Sequence, residues 1–177
     1  ATRMLRTQYR MNARIMEWPS RELYGGQLEA HASVADHLLC GLEGVTETDE
    51  TLLPLWMIDT AGCGFEEEVE SEGDSKLNEG EVGIVAAHLE RLFAAGVKPT
   101  QVAVITPYNA QVGRLRARLE SAHPGLEIGS VDGFQGREKE AIVISLVRSN
   151  ERGEVGLLLH VFGTRQVMER SIDVLQE

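Results

Sequence analysis

The chain has 177 residues, enough for one domain with a real core, and 42 % of them are hydrophobic. No apolar run reaches the length of a membrane span, Ala1 to Arg10 holds no signal-type apolar segment, and Cys40 and Cys63 make no metal-ligand spacing, so no metal site is expected. The net charge of −11 argues against nucleic acid only until its placement is read: 12 acids and one base, Lys76, lie between Thr46 and Glu81, and the rest of the chain holds 16 acids and 16 bases.

Residues 1–11 carry Arg3, Arg6 and Arg10. The first residue is not Met, from which a fragment is expected, and the sparse cysteines lead to an expectation of a reducing, cytoplasmic and nuclear setting. Asn12 is placed to cap a helix over Ala13 to Glu17, and Pro19 to open a second through Tyr24, stopped by Gly25-Gly26. A short helix is expected around Ser33 to Leu39. Leu52 to Asp59 reads as a buried strand beginning after Pro54. Asp59-Thr60-Ala61-Gly62 mimics a GTPase switch, but a GTPase needs a P-loop before it and the sequence has none, so it reads as a tight turn. Phe65 to Lys76 reads as a solvated acidic loop.

Asn78 caps a helix expected through Ala95, with Val82, Val85, Ala86, Leu89, Leu92 and Phe93 on one face. Val102 to Thr106 is a strand and Tyr108 to Ala122 a helix, with Val112, Leu115 and Leu119 inward and Arg114, Arg116 and Arg118 outward. Leu126 to Gly129 and Ala141 to Val147 are further strands. The alternation predicts an α/β fold: a parallel sheet with helices on both faces, binding ligands at the carboxyl ends of its strands. Thr106, the loop after Gly129, and Arg148-Ser149-Asn150 all lie just past strand ends and are expected on one edge.

The loop Ser130-Val131-Asp132-Gly133-Phe134-Gln135-Gly136-Arg137-Glu138 is the centre of this pattern. Its glycines allow close approach to the main chain, and Gln135, Arg137 and Glu138 supply an amide, a guanidinium and a carboxylate, a set suited to phosphate and ribose. The same residues also fit an ordinary solvated loop. Tyr9 and Arg10 pair a ring that stacks on a base with a guanidinium that forks onto phosphate, or they are simply a core tyrosine and a surface arginine. Thr106 and Tyr108, flanking Pro107, offer hydroxyls and a ring to a strand's sugar-phosphate backbone.

Three ordered segments carry a resemblance: Gln8-Tyr9-Arg10-Met11, Ile105-Thr106-Pro107-Tyr108-Asn109-Ala110-Gln111, and the loop at 130–138. They resemble the Gln-Tyr-Arg-Met signature, motif IV and motif V of superfamily-1 helicases of the Upf-like group, over roughly residues 3 to 157. The resemblance implies a RecA-like sheet of the P-loop NTPase fold, namely the second motor domain at 1–157 followed by a divergent tail at 158–177. It implies part of an ATP-dependent 5′-to-3′ DNA/RNA helicase, a nucleoside-triphosphate hydrolase whose partners are single-stranded DNA or RNA and a first RecA-like domain, with no membrane.

By resemblance, Tyr9 lies against adenine and Arg10 reaches the terminal phosphate of ATP. Gln135 and Gly136 sense that phosphate, Arg137 joins the nucleotide site and Glu138 bonds the ribose. Thr106, Tyr108, Ser130 and Val131 face the nucleic-acid strand. Asn12 stands where the family often has His, and still caps. No Gly-x-x-x-x-Gly-Lys-Ser/Thr stretch and no Asp-Glu pair at a strand end occurs, so the Mg2+ ligands are expected in the first domain. After Gly153-Glu154-Val155-Gly156 the sequence departs from the family's motif VI. Arg165 opens an expected short helix through Gln176 and reads as a solvated arginine rather than a replacement arginine finger. The isolated chain is expected to be inactive, and the alternative is a non-enzymatic product that binds nucleic acid or a partner.

Overall fold

A computed structural model describes residues 3–70, 73, 75–150 and 152. These fall into two compact units that divide in sequence between Met57 and Ile58. The tail at 158–177, with Arg165, lies outside the described residues.

In the first unit, β1 (Thr7–Gln8) pairs in parallel with β2 (Glu29–Ala30). Between them runs α1 (Ala13–Tyr24), a single helix where two were expected. Pro19 sits inside it rather than at a new start. Proline removes only the bond to the carbonyl four residues back, and the turns on either side persist because Met16 and Ser20 are buried. Asn12 caps as expected, its Oδ1 accepting from Arg14 N–H at 2.9 Å while Nδ2 donates to the His37 carbonyl. Gly25, at φ 58°, closes the helix in the left-handed conformation that glycine tolerates best. Two short helices follow, α2 (Ala32–Ala35) and α3 (Asp49–Leu52).

The strand expected up to Asp59 does not form. Leu53, Leu55, Trp56 and Met57 are 39–49 % exposed. A strand exists only through a ladder, and no described strand pairs with this run.

The second unit holds β3 (Glu68–Val69) and β4 (Lys76–Leu77), an antiparallel pair, then α4 (Glu79–Ala94), β5 (Val102–Thr106), α5 (Asn109–Leu119), β6 (Glu127–Ser130) and β7 (Ala141–Ile144). The last three strands form a parallel sheet in the order β6-β5-β7, flanked by helices. Val102, Ala103 and Val104 are fully buried at its centre. Val82, Val85, Leu89 and Leu92 of α4 and Val112, Leu115 and Leu119 of α5 supply the apolar faces read from their spacing. Arg114 does face outward, to Glu79, but Arg116 folds back and donates to the Ile128 carbonyl at 2.7 Å. The Asp59 turn is as expected: its carboxylate accepts from Ala61 N–H, and Gly62 takes φ 76°.

β7 is shorter than the apolar run that encodes it. Ser145 still bonds to the Ile105 carbonyl, but Val147 turns out of the strand at φ 73°. Along the exposed pleat Ile142, Ile144 and Leu146 remain 39–47 % accessible, while Ser145 and Val147 are buried.

Candidate functional site

The tetrapeptide beginning at Gln8 is organised by the glutamine. Gln8 Oε1 accepts from the N–H groups of Arg10 and Met11 at 2.8 and 2.7 Å, and Nε2 donates to the Met11 carbonyl at 2.8 Å. This closes a turn after β1 and turns the next two side chains out. Tyr9 is 64 % exposed, its ring stacked on His31 with centroids 4.3 Å apart. Arg10 is exposed as well. One face of the Tyr9 ring is thus taken by His31, leaving the other for a second flat group.

In the second unit the register Thr106↔Ser130 brings the carboxyl ends of β5 and β6 level. Thr106, Ser130 and Val131 therefore share one edge, as expected. Their exposure differs. Thr106 is fully buried and its Oγ1 has no hydrogen-bond partner; Tyr108 is 9 % exposed and its hydroxyl is likewise unmatched. A strand phosphate reaches neither hydroxyl without displacement of the groups above them. Ser130 Oγ accepts from Gly133 N–H at 3.2 Å, which shapes the first turn of the loop.

The loop does not stay on that edge. After a 3-10 turn at Asp132–Phe134, pinned by the buried Phe134 ring, the chain heads back along the sheet to begin β7 opposite Val102. Gln135, Gly136, Arg137 and Glu138 are exposed on this return, with Gly136 at φ 81°. Arg137 Nη1 and Lys139 Nζ both reach Glu127, the first residue of β6, at 2.9 and 2.8 Å. Hydrogen bonds from Lys139 and then Arg137, reinforced by their charges, hold the Glu127 carboxyl below its ordinary range. The structure therefore separates the loop: Ser130 and Val131 stand with Thr106, whereas Arg137 is tied toward the opposite end of the strands.

Two carboxylates that the sequence did not single out organise the segment after β7. Glu81, in the first turn of α4, accepts from Ser145 Oγ at 2.6 Å and from Val147 N–H at 3.0 Å. Asn78 donates to the Val147 carbonyl at 3.2 Å and caps α4 through Glu81 N–H. Gln111, fully buried, bonds Asn78 N–H, the Asn78 carbonyl and Ser145 Oγ. The Asn-x-x-Glu spacing at 78–81 was the available signal, though it spoke only of a cap.

The second carboxylate is Glu67. The acidic run was expected to be solvated, yet the Glu67 side chain is only 10 % exposed. Its Oε2 receives Arg148 Nε at 2.7 Å, Ser149 N–H at 3.0 Å and Asn150 Nδ2 at 3.2 Å, and Lys76 lies 3.5 Å from Oε1. Burial pushes the Glu67 carboxyl up, but the bonds from Arg148, Asn150 and Ser149 outweigh it, and the group lies below the carboxylate range. Burial also opposes the Arg148 charge, while Glu67 and then the adjacent Tyr108 phenol raise its pKa above the usual value. Arg148 thus lies against Tyr108 even though the phenol hydroxyl forms no well-aligned bond. Among the described residues, no group of three or more His, Cys, Asp or Glu is arranged to hold a metal ion, and no helix is long and apolar enough to cross a membrane.

A parallel sheet flanked by helices, with polar loops gathered past its strand ends, defines a domain of the P-loop NTPase type. The chain belongs to the AAA domain family, whose sequence profile matches residues 1–161. It is similar to DNA-binding protein SMUBP-2 of Mesocricetus auratus, 56 % identical over 89 % of this chain and 16 % of that protein. DNA polymerase alpha-associated DNA helicase A of Saccharomyces cerevisiae is 45 % identical over 98 % of this chain and 28 % of its own length. A regulator of nonsense transcripts 1 homolog of Drosophila melanogaster is 37 % identical over 87 % of this chain and 13 % of its own. The Upf-like helicase resemblance carried by the three motifs is upheld, and the chain spans well under a third of the length of these relatives.

Proposed function

We propose that this chain is the second RecA-like domain of an ATP-dependent 5′-to-3′ DNA/RNA helicase. The observation that carries the reading is the register Thr106↔Ser130, which sets two helicase motifs at the level carboxyl ends of adjacent parallel strands. A single strand of DNA or RNA runs along that edge, touching Ser130 and Val131 directly and Thr106 and Tyr108 once the groups covering them shift. In the first unit Tyr9 stacks on adenine and Arg10 contacts the terminal phosphate. On the return loop Gln135 and Gly136 sense that phosphate, Arg137 assists and Glu138 bonds the ribose. The exposure of Tyr9, Arg10 and all four loop residues fits this role.

Bound ATP with Mg2+ supplies the phosphoryl group to be transferred; this chain's residues bind and orient it. The sequence holds no P-loop lysine, no paired magnesium carboxylates and no motif VI arginine, so the chain alone binds without turnover. It works with a first RecA-like domain, in the cytoplasm and nucleus. The test has two parts. Fluorescence anisotropy with a labelled single-stranded oligonucleotide should show binding that weakens as salt rises. Phosphate release should stay at background, with or without the oligonucleotide. Salt-independent binding refutes the strand reading, and turnover by the chain alone refutes the division of labour.

A further inference from the structure

Three donors converge on one oxygen at the end of β7: the Arg148 guanidinium, the Ser149 N–H and the Asn150 amide all meet Glu67 Oε2. A cation, a main-chain N–H and a neutral amide around a single oxyanion form the same donor set that holds a phosphate oxygen. The set stands past a strand end, on the edge where open parallel sheets receive ligands. It is also built rather than incidental. The Arg148 side chain is 5 % exposed, and Glu67 N–H donates in turn to the Ser149 carbonyl at 3.1 Å.

Beside it lies an anomaly. Buried polar groups are nearly always bonded, yet the buried Tyr108 hydroxyl, which lies against Arg148, has no well-aligned hydrogen-bond partner. A poorly matched hydroxyl beside an arginine that holds an anion marks a place where a larger anion, with more acceptor oxygens than a carboxylate, finds a further donor.

We propose that Arg148, Ser149 N–H and Asn150 form a site for a phosphodiester oxyanion of a single strand, and that Glu67 fills it as an internal competitor. This rests on the strand-binding reading of the same edge. Glu67 belongs to the acidic segment, tethered just before β3, and a carboxylate presents the same charge and oxygen geometry as one edge of a phosphate. When a strand arrives, its phosphate takes the three donors and Glu67 withdraws into water with the rest of the acidic run. The Tyr108 hydroxyl then gains a well-aligned acceptor that it lacks with Glu67 in place. The acidic run so raises the threshold for strand binding without touching the strand.

The experiment compares the 177-residue chain with Glu67→Gln, Glu67→Ser and the double variant Glu67→Gln/Arg148→Gln. Each is titrated with a labelled single-stranded oligonucleotide by anisotropy across a salt series, and with inorganic phosphate while the Ser149 amide is followed by NMR. Removing the competitor should tighten strand binding on the order of tenfold and steepen the dependence of log affinity on log salt by about 0.7, the share of one phosphate on a single strand. The gain should vanish in the double variant. Circular dichroism identifies any variant that fails to fold, and the phosphate titration of the unaltered chain then decides. Unchanged or weaker strand binding by folded Glu67 variants overturns the competitor and leaves the strand-binding function intact. Phosphate that moves the Ser149 amide in a chain that binds no strand overturns the strand as ligand and the function with it. No response to either probe overturns both.

Discussion

Arg137 and Glu127 join the far end of the central loop to the start of β6, Nη1 to Oε2 at 2.9 Å. The parallel pairing of β7 with β5 obliges a loop that begins level with Thr106 to finish at the other end of the sheet, and the pair fastens it there. Lys139 shares the same carboxylate and also donates to the Thr100 carbonyl at 2.6 Å, so the return path is held at two places. Glu127→Ala should leave the thermal unfolding midpoint nearly unchanged, because exposed ion pairs add little to stability. Amide hydrogen exchange should instead accelerate within residues 131–140 alone. Unaltered protection there would mean that Phe134 and the 3-10 turn fix the loop by themselves.

Acid should weaken the second unit through Glu67. Its folded carboxyl titrates below the ordinary 4.5, so its contribution is fully present above that value and is lost as pH falls through the lower, folded one. Protonation removes the negative charge that Arg148 and Lys76 now face. Melting curves from pH 7 to pH 3 should show the unaltered chain more stable than Glu67→Gln near neutrality, with the gap closing below about pH 4.5. A constant gap across the range would show that the carboxylate charge is not what holds Arg148.

Asn78→Ala removes a helix cap and leaves the buried Val147 carbonyl without the Nδ2 donor that now serves it. A cap and a buried acceptor together should cost about 2–3 kcal/mol, read as a lower midpoint in urea with an unchanged slope. A loss well under 1 kcal/mol would mean that water replaces the amide, contrary to the burial of this position.

Gly80→Ala tests the packing at the start of α4. Helix propensity alone favours alanine by about 1 kcal/mol. A Cβ at this position, however, meets the Phe65 ring and its own Cβ, which no rotation of the ring alone relieves. The variant should be less stable by about 1–2 kcal/mol, since overpacking outweighs propensity at a filled site. A stabilised protein would show that Phe65 is free to leave.

Gln8→Glu separates shape from chemistry at the first motif. A carboxylate still accepts from Arg10 and Met11 N–H but has nothing to donate to the Met11 carbonyl. The turn should open, with faster exchange at the Met11 amide and weaker stacking of Tyr9 on His31. Retained protection at Met11 would show that the amide donor is dispensable.

Legibility followed the range of the interactions. The helices at Glu79–Ala94 and Asn109–Leu119 and the strand Val102–Thr106 were readable because caps and apolar spacing are local signals. The edge shared by Thr106 and Ser130 followed from the alternation of strands and helices. Leu52 to Asp59 was misread because its composition suits a strand but a strand is completed only by a neighbour. Glu67 was hidden for a related reason: Arg148 lies 81 positions away, and nothing near Glu67 distinguishes it from the other acids of its run. The burial of Thr106 and Tyr108 likewise depends on residues distant in the chain.

Val147 carries a consequence for how the end of β7 is held. A β-branched side chain resists the left-handed region more than almost any other and sits most comfortably in an extended strand. Here it is held at φ 73° by Glu81 on its N–H and Asn78 on its carbonyl, with its side chain wholly buried. The bend that carries the chain from β7 to Arg148 is thus set 66 and 69 positions earlier, by a glutamate in the first turn of α4 and the asparagine that caps it. Substituting either residue removes a restraint on Val147, so the start of a helix and the end of a strand form one unit of the fold.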